Sequence, residues 1–343
     1  MSSHLSLQLR ETTTSDGVVV LTESGKPNTA TKRSSNAYLR SKNHIFGKTR
    51  QKVVRFFSCF GAVDSVMESW SPEKTEERIA PNVFCMDTLT DRQSVFYDRI
   101  EAGKILARWL PQVWKDAGLP GTRTNAKNIP TTSSPTTQSD QLSAVVYGIP
   151  SGGIPVAATI ATELQLPLRV AVVSKILLPW NTEVGCGAVS FRGTVKWNEP
   201  FLHSIGLSKE RLQKQVEEAT AKVNRRTTAF GGAPTLSPQE ERGTQVVVLV
   251  DDGLASGWTM TLAVEEFRKM GAKHIVIVVP TGSYDVVLRM AKVADYVFCA
   301  NIRRGPSFAV AAAYENWYDE EEEQVIELVR SFHHSYPPHK VQQ

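Results

Sequence analysis

Apolar positions fall into two regimes along the 343-residue chain. From about residue 90 onward they recur with helical or strand spacing, whereas the first 80 residues mix Ser, Thr, Asn, Lys and Arg with little periodicity of either kind. Thr90 followed by Gln93 is a capping-box pair, and Phe96, Ile100, Gly103, Leu106, Leu110 and Val113 then follow at helical spacing. That pattern predicts an amphipathic helix ending near Trp114. Residues 117–143 turn to Gly, Pro, Thr and Ser and read as a low-complexity insertion.

Beyond it, short apolar runs alternate with helical stretches. Strands are expected at 144–149 and 168–173, with a helix from Ile154 to Leu164 between them. Further strands at 246–250, 275–279 and 296–299 alternate with helices at 259–270, closed by Gly271, and 285–292. This order predicts an α/β fold, a mostly parallel sheet flanked by helices. Residues 176–245 interrupt it with a predicted hairpin turning at Arg192-Gly193 and a helix from Ser208 carrying Leu212, Val216, Ala219 and Val223 on one face. So long an excursion reads as a lid or hood. The expected organisation is therefore a disordered basic extension over 1–80, one domain over 81–335 and a tail over 336–343.

Composition refines this picture. Hydrophobic residues make up 41% and charged residues 22%, an ordinary globular balance. The net charge of +4 is concentrated at the start, where the first 63 residues carry ten basic and three acidic side chains and the remainder is mildly acidic. Nucleic-acid contact is thus expected only through that arm, if at all. Four cysteines, far apart and without a C-x-x-C pair, suggest neither a zinc knuckle nor a disulfide framework. No apolar run reaches the roughly 18 residues of a membrane span. A cytoplasmic location is expected, with mitochondrial targeting a minority reading of the acid-free stretch from Lys26 to Arg55.

The chemistry concentrates in Val246 to Thr259. A buried strand delivers Asp251 and Asp252 to its C-terminal edge, and Gly253-Leu254-Ala255-Ser256-Gly257-Trp258-Thr259 then opens a helix. Small residues let backbone N–H groups face an anion, and the helix N-terminus adds positive potential. The paired carboxylates suit two vicinal hydroxyls, so together these residues describe a ribose 5-phosphate site. A Walker A loop is excluded because Trp258, not lysine, follows Gly257, and Gly185-Cys186-Gly187 follows no predicted strand and lacks a third glycine. The histidines show no metal spacing; His333-His334 read as solvated, and Glu320 to Glu323 as a complement to a helix dipole.

This stretch resembles the phosphoribosyl-pyrophosphate (PRPP) motif of type I phosphoribosyltransferases, and the wider chain resembles a branch whose motif reads Asp-Asp-Gly-Leu-Ala-Thr-Gly. Further segments carry the likeness: Phe96 to Gly103, Ile149 to Ala157, Lys175 with Pro179 and Glu183 to Val189, and Asp295 to Tyr318. The resemblance implies that Ala255, Ser256, Gly257, Trp258 and Thr259 bind the 5-phosphate and that Ser151, Gly152 and Gly153 bind pyrophosphate. It implies catalytic roles for Asp251, Asp252 and Lys175, and Mg²⁺ carried mainly by PRPP, near Asp251 and Asp252. Among suggestively placed aromatics, Tyr314 and Trp317 are the expected acceptor-site residues. A nucleobase or amine acceptor and a homodimer are the family expectation. Gly253 departs from the usual aliphatic residue, and Ser151 and Ser174 stand where the branch has arginines. These serines motivate an alternative, a weakened PRPP or nucleotide sensor acting through a partner or RNA. A phosphatase-like hydrolase finds no obvious nucleophile or metal cluster.

Overall fold

The computed structural model describes residues 9–13, 19–23, 79–122, 141–305 and 307–336. Strands β1 (Leu9–Thr13) and β2 (Val19–Glu23) pair antiparallel within a separate unit, Met1–Gly61. The expected disordered extension and the final tail lie otherwise outside the described residues.

In chain order the second unit contains β3 (Val83–Phe84), α1 (Arg99–Asp116), β4 (Gly121–Thr122), β5 (Gln141–Leu142), β6 (Ala144–Gly148), α2 (Gly153–Glu163) and β7 (Leu168–Val170). The excursion follows: β8 (Val173–Leu178), β9 (Asn181–Ser190), β10 (Val195–Trp197), α3 (Glu199–Ser204), a 3-10 turn (Lys209–Leu212), α4 (Gln213–Ala229) and α5 (Pro238–Arg242). The chain returns through β11 (Val246–Val250), α6 (Trp258–Lys269), β12 (Ile275–Ser283), α7 (Tyr284–Met290), β13 (Tyr296–Arg303), a 3-10 turn (Val310–Ala313) and α8 (Glu322–Ser335). Six strands form one parallel sheet in the order β3-β13-β12-β11-β6-β7. β8, β9 and β10 make a separate antiparallel sheet.

Alternation in the strands feeds two cores. Val246, Val248 and Val250 join one core with Leu106, Leu110 and Val156, while Val247 and Leu249 join the other with Leu262, Phe267, Ile176 and Val223. Burying both faces is what makes these strands near-continuous apolar runs. Each fully buried aliphatic side chain contributes about 1.5–3 kcal/mol.

The structure moves some boundaries. The first helix begins at Arg99, capped by Asp98, whose carboxylate accepts from the Glu101 N–H (2.8 Å), and it runs through Pro111 to Asp116. Thr90 and Gln93 cap nothing; Asp91 and Ser94 adopt positive φ, and Phe96 bridges to Tyr314 before the helix starts. The expected strand 168–173 splits between the two sheets, with β7 in one and β8 in the other. Of the insertion, β4 and β5 pair antiparallel and clasp its base, and residues 123–140 lie outside the description. Among the described residues no helix is long and apolar enough to cross a membrane.

Candidate functional site

The strand order sets the location. From β6 the chain moves outward to β7, and from β11 it moves the other way to β12, so a crevice opens between the loops that leave β6 and β11. In open parallel sheets this point, at the carboxyl edge, is where ligands sit. A cavity of about 610 Å³ lies there.

The loop after β6 is packed directly on the two carboxylates. A Cβ on Gly152 would fall 1.9 Å from Asp252 Oδ2 and 3.2 Å from Arg99 Nε, and one on Gly153 would fall 2.7 Å from the Val250 carbonyl and 2.8 Å from Asp251 Cα. The sequence argues for these glycines from close anion approach; the structure adds that the Asp252 carboxylate and the end of the β11 backbone occupy the missing side-chain space. The Pro150–Ser151 peptide is cis. Because Asp252 fills the space its Cβ would need, Gly152→Ala is expected to cost about 1–3 kcal/mol as overpacking. Chemical denaturation of the variant beside the parent checks this, and an unchanged midpoint would refute it.

The carboxylates are held differently. Asp252 Oδ2 meets Arg99 Nε at 2.9 Å, and this Arg99 is only 4% exposed. Arg99 Nη1 also donates to the Tyr318 carbonyl (2.8 Å) and to Glu320 Oε1 (3.2 Å), and its guanidinium stacks 4.0 Å from the Trp317 ring centre. Asp251 Oδ1 accepts from the Asp252 N–H at 2.9 Å. Burial pushes the Asp251 carboxyl well above the ordinary value, and the neighbouring Asp252 charge pushes it further. Asp252 is also raised by burial, against the opposing pull of Arg99.

The loop after β11 is fixed by contacts to β12 and α7. Leu254 is pinned between the Thr281 carbonyl (2.9 Å) and the Ser283 N–H (3.1 Å), and Arg289 Nη2 donates to the Ser256 carbonyl (2.5 Å). Gly257 takes a left-handed conformation (φ 75°) to start α6, where a Cβ would meet Val286 Cγ1 at 2.6 Å. Among the described residues no backbone carbonyl accepts from the N–H groups of Ala255, Ser256 or Gly257. Gly253 is small because Val310 fills the neighbouring space, 2.6 Å from where its Cβ would be.

Asp251, Asp252, Lys175, Ser151, Gly152, Ala255, Ser256, Gly257 and Thr259 all line the one cavity. Ser174 also lines it and is buried. The remaining expected residues stand elsewhere. Gly153 is buried at the start of α2. The Trp258 ring centre lies 6.0 Å from Lys196 Nζ and outside the lining. Tyr314 and Trp317, the expected acceptor-site residues, are not among those lining this cavity: Tyr314 packs on Phe96 and donates its hydroxyl to the Asp252 carbonyl (2.7 Å), while Trp317 lies against Arg99.

Sequence reasoning missed three basic residues. Arg99 reaches Asp252 across 153 positions, and Lys222 and Arg226 come to the cavity from α4. Arg99 lies within the Phe96 to Gly103 segment already noted, but nothing local marks Arg226. The acidic run also does more than complement a dipole: Glu320 pairs with Arg99 and Glu322 with Arg226. His333, expected in solvent, sits within α8 and bonds the Leu168 carbonyl through Nε2 at 2.9 Å. Among the described residues no group of three or more His, Cys, Asp or Glu is placed to hold a metal.

Residues 205–317 match the family model of the phosphoribosyl transferase domain. Over 192 residues the chain is 32% identical to a Mycobacterium tuberculosis protein provisionally named a phosphoribosyl transferase, in each of two strains. The match covers 56% of this chain and 42% of the relative, so the chain spans under half the length of those curated proteins. Among solved structures, the Thermus thermophilus protein TT1426 is 25% identical with a TM-score of 0.48, covering 69% of this chain and 98% of that one. A purine phosphoribosyltransferase from Pyrococcus horikoshii is 17% identical with a TM-score of 0.29, covering 62% of this chain and 93% of that one.

Proposed function

We propose that the protein, whose residues 205–317 match the phosphoribosyl transferase domain model, binds PRPP and transfers its phosphoribosyl group to a nucleobase or amine, releasing pyrophosphate. The observation that carries this reading is the convergence of Asp251 and Asp252 with two anion-ready loops on one cavity at the switch between β6 and β11. The loop from Ala255 to Thr259 would take the 5-phosphate on backbone N–H groups at the head of α6. Asp251 and Asp252 would accept hydrogen bonds from the ribose hydroxyls, and Ser151, Gly152 and Lys175 would face the pyrophosphate.

In the transfer, the bond between C1 and the pyrophosphate oxygen breaks with its electron pair leaving on pyrophosphate. A lone pair of the acceptor nitrogen forms the new bond to C1, and the proton on that nitrogen passes to the departing pyrophosphate. Positive charge develops on the ribose ring, next to the two carboxylates, so the protein's contribution is positioning and electrostatic stabilisation. The hood formed by β8, β9, β10 and α4 would keep water from the cationic centre. The two carboxylates alone do not make a resident metal site, since Asp252 is committed to Arg99. Mg²⁺ is therefore proposed to arrive as part of the substrate, on the PRPP diphosphate.

Isothermal titration of the full chain with PRPP and Mg²⁺ tests the binding, and no heat at millimolar ligand would overturn it. Pyrophosphate release in the presence of a base and amine panel separates the enzyme from the alternative favoured by neutral Ser151 and Ser174: binding without turnover would leave a PRPP sensor.

A further inference from the structure

The cavity has a cationic wall that comes from the hood. Lys222 and Arg226 are one helical turn apart on α4, so both project from the same face, and both line the cavity with Lys175. Arg226 is nearly buried, 8% exposed. Its Nη2 donates to Ser151 Oγ at 3.1 Å and its Nε to Glu322 Oε2 at 2.9 Å. No hydrogen bond among the described residues engages Nη1. Lys222 is half-buried beside it, and burial together with the Arg226 charge pushes its ammonium below the ordinary value. Two cations on one face of a recess repel each other, with Glu322 offsetting only part of their charge, an arrangement that an incoming polyanion relieves.

We propose that Arg226 and Lys222 of α4 are binding residues for the pyrophosphate half of PRPP, and that Arg226 supplies from the hood the positive charge that Ser151 does not carry. This rests on the PRPP reading above. Glu322 is then a positioning residue: from the head of α8 it holds the guanidinium over the loop between β6 and α2. Because Ser151 Oγ accepts from Arg226, its hydroxyl hydrogen is free to donate to a diphosphate oxygen. As the bond to C1 breaks, negative charge accumulates on the oxygens that this wall faces.

Titration of the full chain with three probes tests the assignment: PRPP with Mg²⁺, inorganic pyrophosphate with Mg²⁺, and ribose 5-phosphate. Arg226→Gln is expected to weaken PRPP and pyrophosphate by about 10- to 100-fold, the loss of a charge-assisted contact, and to leave ribose 5-phosphate unchanged. Lys222→Gln should act in the same direction, and Arg226→Lys should fall between. Since Arg226→Gln strands Glu322, the pair Arg226→Gln with Glu322→Gln keeps the test independent of folding. Parent protein that binds PRPP with a variant that binds it equally well would overturn this assignment and spare the PRPP reading. Equal loss of all three probes by a variant with the parent's thermal midpoint would also overturn it. A parent that binds neither PRPP nor ribose 5-phosphate overturns the reading itself and this assignment with it.

Discussion

Replacing Arg99 by methionine is expected to destabilise the domain by about 3–5 kcal/mol, a fall in the thermal midpoint of roughly 10 °C. The methionine fills much of the volume beneath Trp317 but leaves Asp252 and Glu320 recessed without their shared cation. The pH dependence identifies the cause. A recessed carboxyl that has lost its cation titrates above its unfolded value, so the native state holds protons the unfolded chain has released, and native stability rises as pH falls. The deficit should therefore shrink in mildly acidic buffer. Differential scanning across pH measures it, and a deficit that stays constant would assign the loss to packing instead. Arg99→Lys keeps the charge but not the fork that reaches Asp252, Glu320 and the Tyr318 carbonyl together, so it should restore only part of the stability.

The second large effect belongs to the carboxylates. Asp251→Asn with Asp252→Asn is expected to weaken PRPP by at least about 100-fold, because both carboxylates proposed to accept from the ribose hydroxyls are removed. Asp251→Asn alone should weaken binding while stabilising the fold by about 0.5–2 kcal/mol at neutral pH. Burial and Asp252 raise the Asp251 carboxyl, so its folded form costs stability as pH rises above the unfolded value. Asparagine removes that cost and can still accept from the Asp252 N–H. In the parent, PRPP affinity should fall as the medium is acidified through the folded titration of the pair. Calorimetry and thermal denaturation on the single and double variants check both signs; a less stable Asp251→Asn protein would show that the carboxylate is not held against its own burial.

These two cases mark how far the sequence could be read. Val246 to Val250 runs as a strand with the expected bounds because both faces of a central parallel strand are buried, which leaves a continuous β-branched run. The loop from Gly253 to Thr259 is legible because it is local. Asp98 was the true helix cap, and Thr90 with Gln93 matched only the spacing; the Phe96 bridge to Tyr314 decided where the helix could start. Arg99 and Arg226 act through partners 153 and 75 residues away, Asp252 and Ser151, and no periodicity records such pairings. Tyr314 and Trp317 illustrate the converse. Their neighbourhood to the site is legible, but not that Tyr314 would pack on Phe96 and Trp317 lie over Arg99.

The adjacency of β6 and β11 also governs when the site can exist. Ser143, just before β6, bonds the carbonyl of Thr244, just before β11, across 101 residues of chain, and the whole hood lies between them. Closing so long a loop costs chain entropy before any contact repays it, so this pairing is a slow, non-local event. A growing polypeptide that has completed the β6 loop and the hood still has no floor to its cavity until β11 leaves the ribosome. The cationic wall of α4 is thus synthesised before the acidic pair it faces, and the pocket is assembled late, as a unit, rather than ripening around a preformed half.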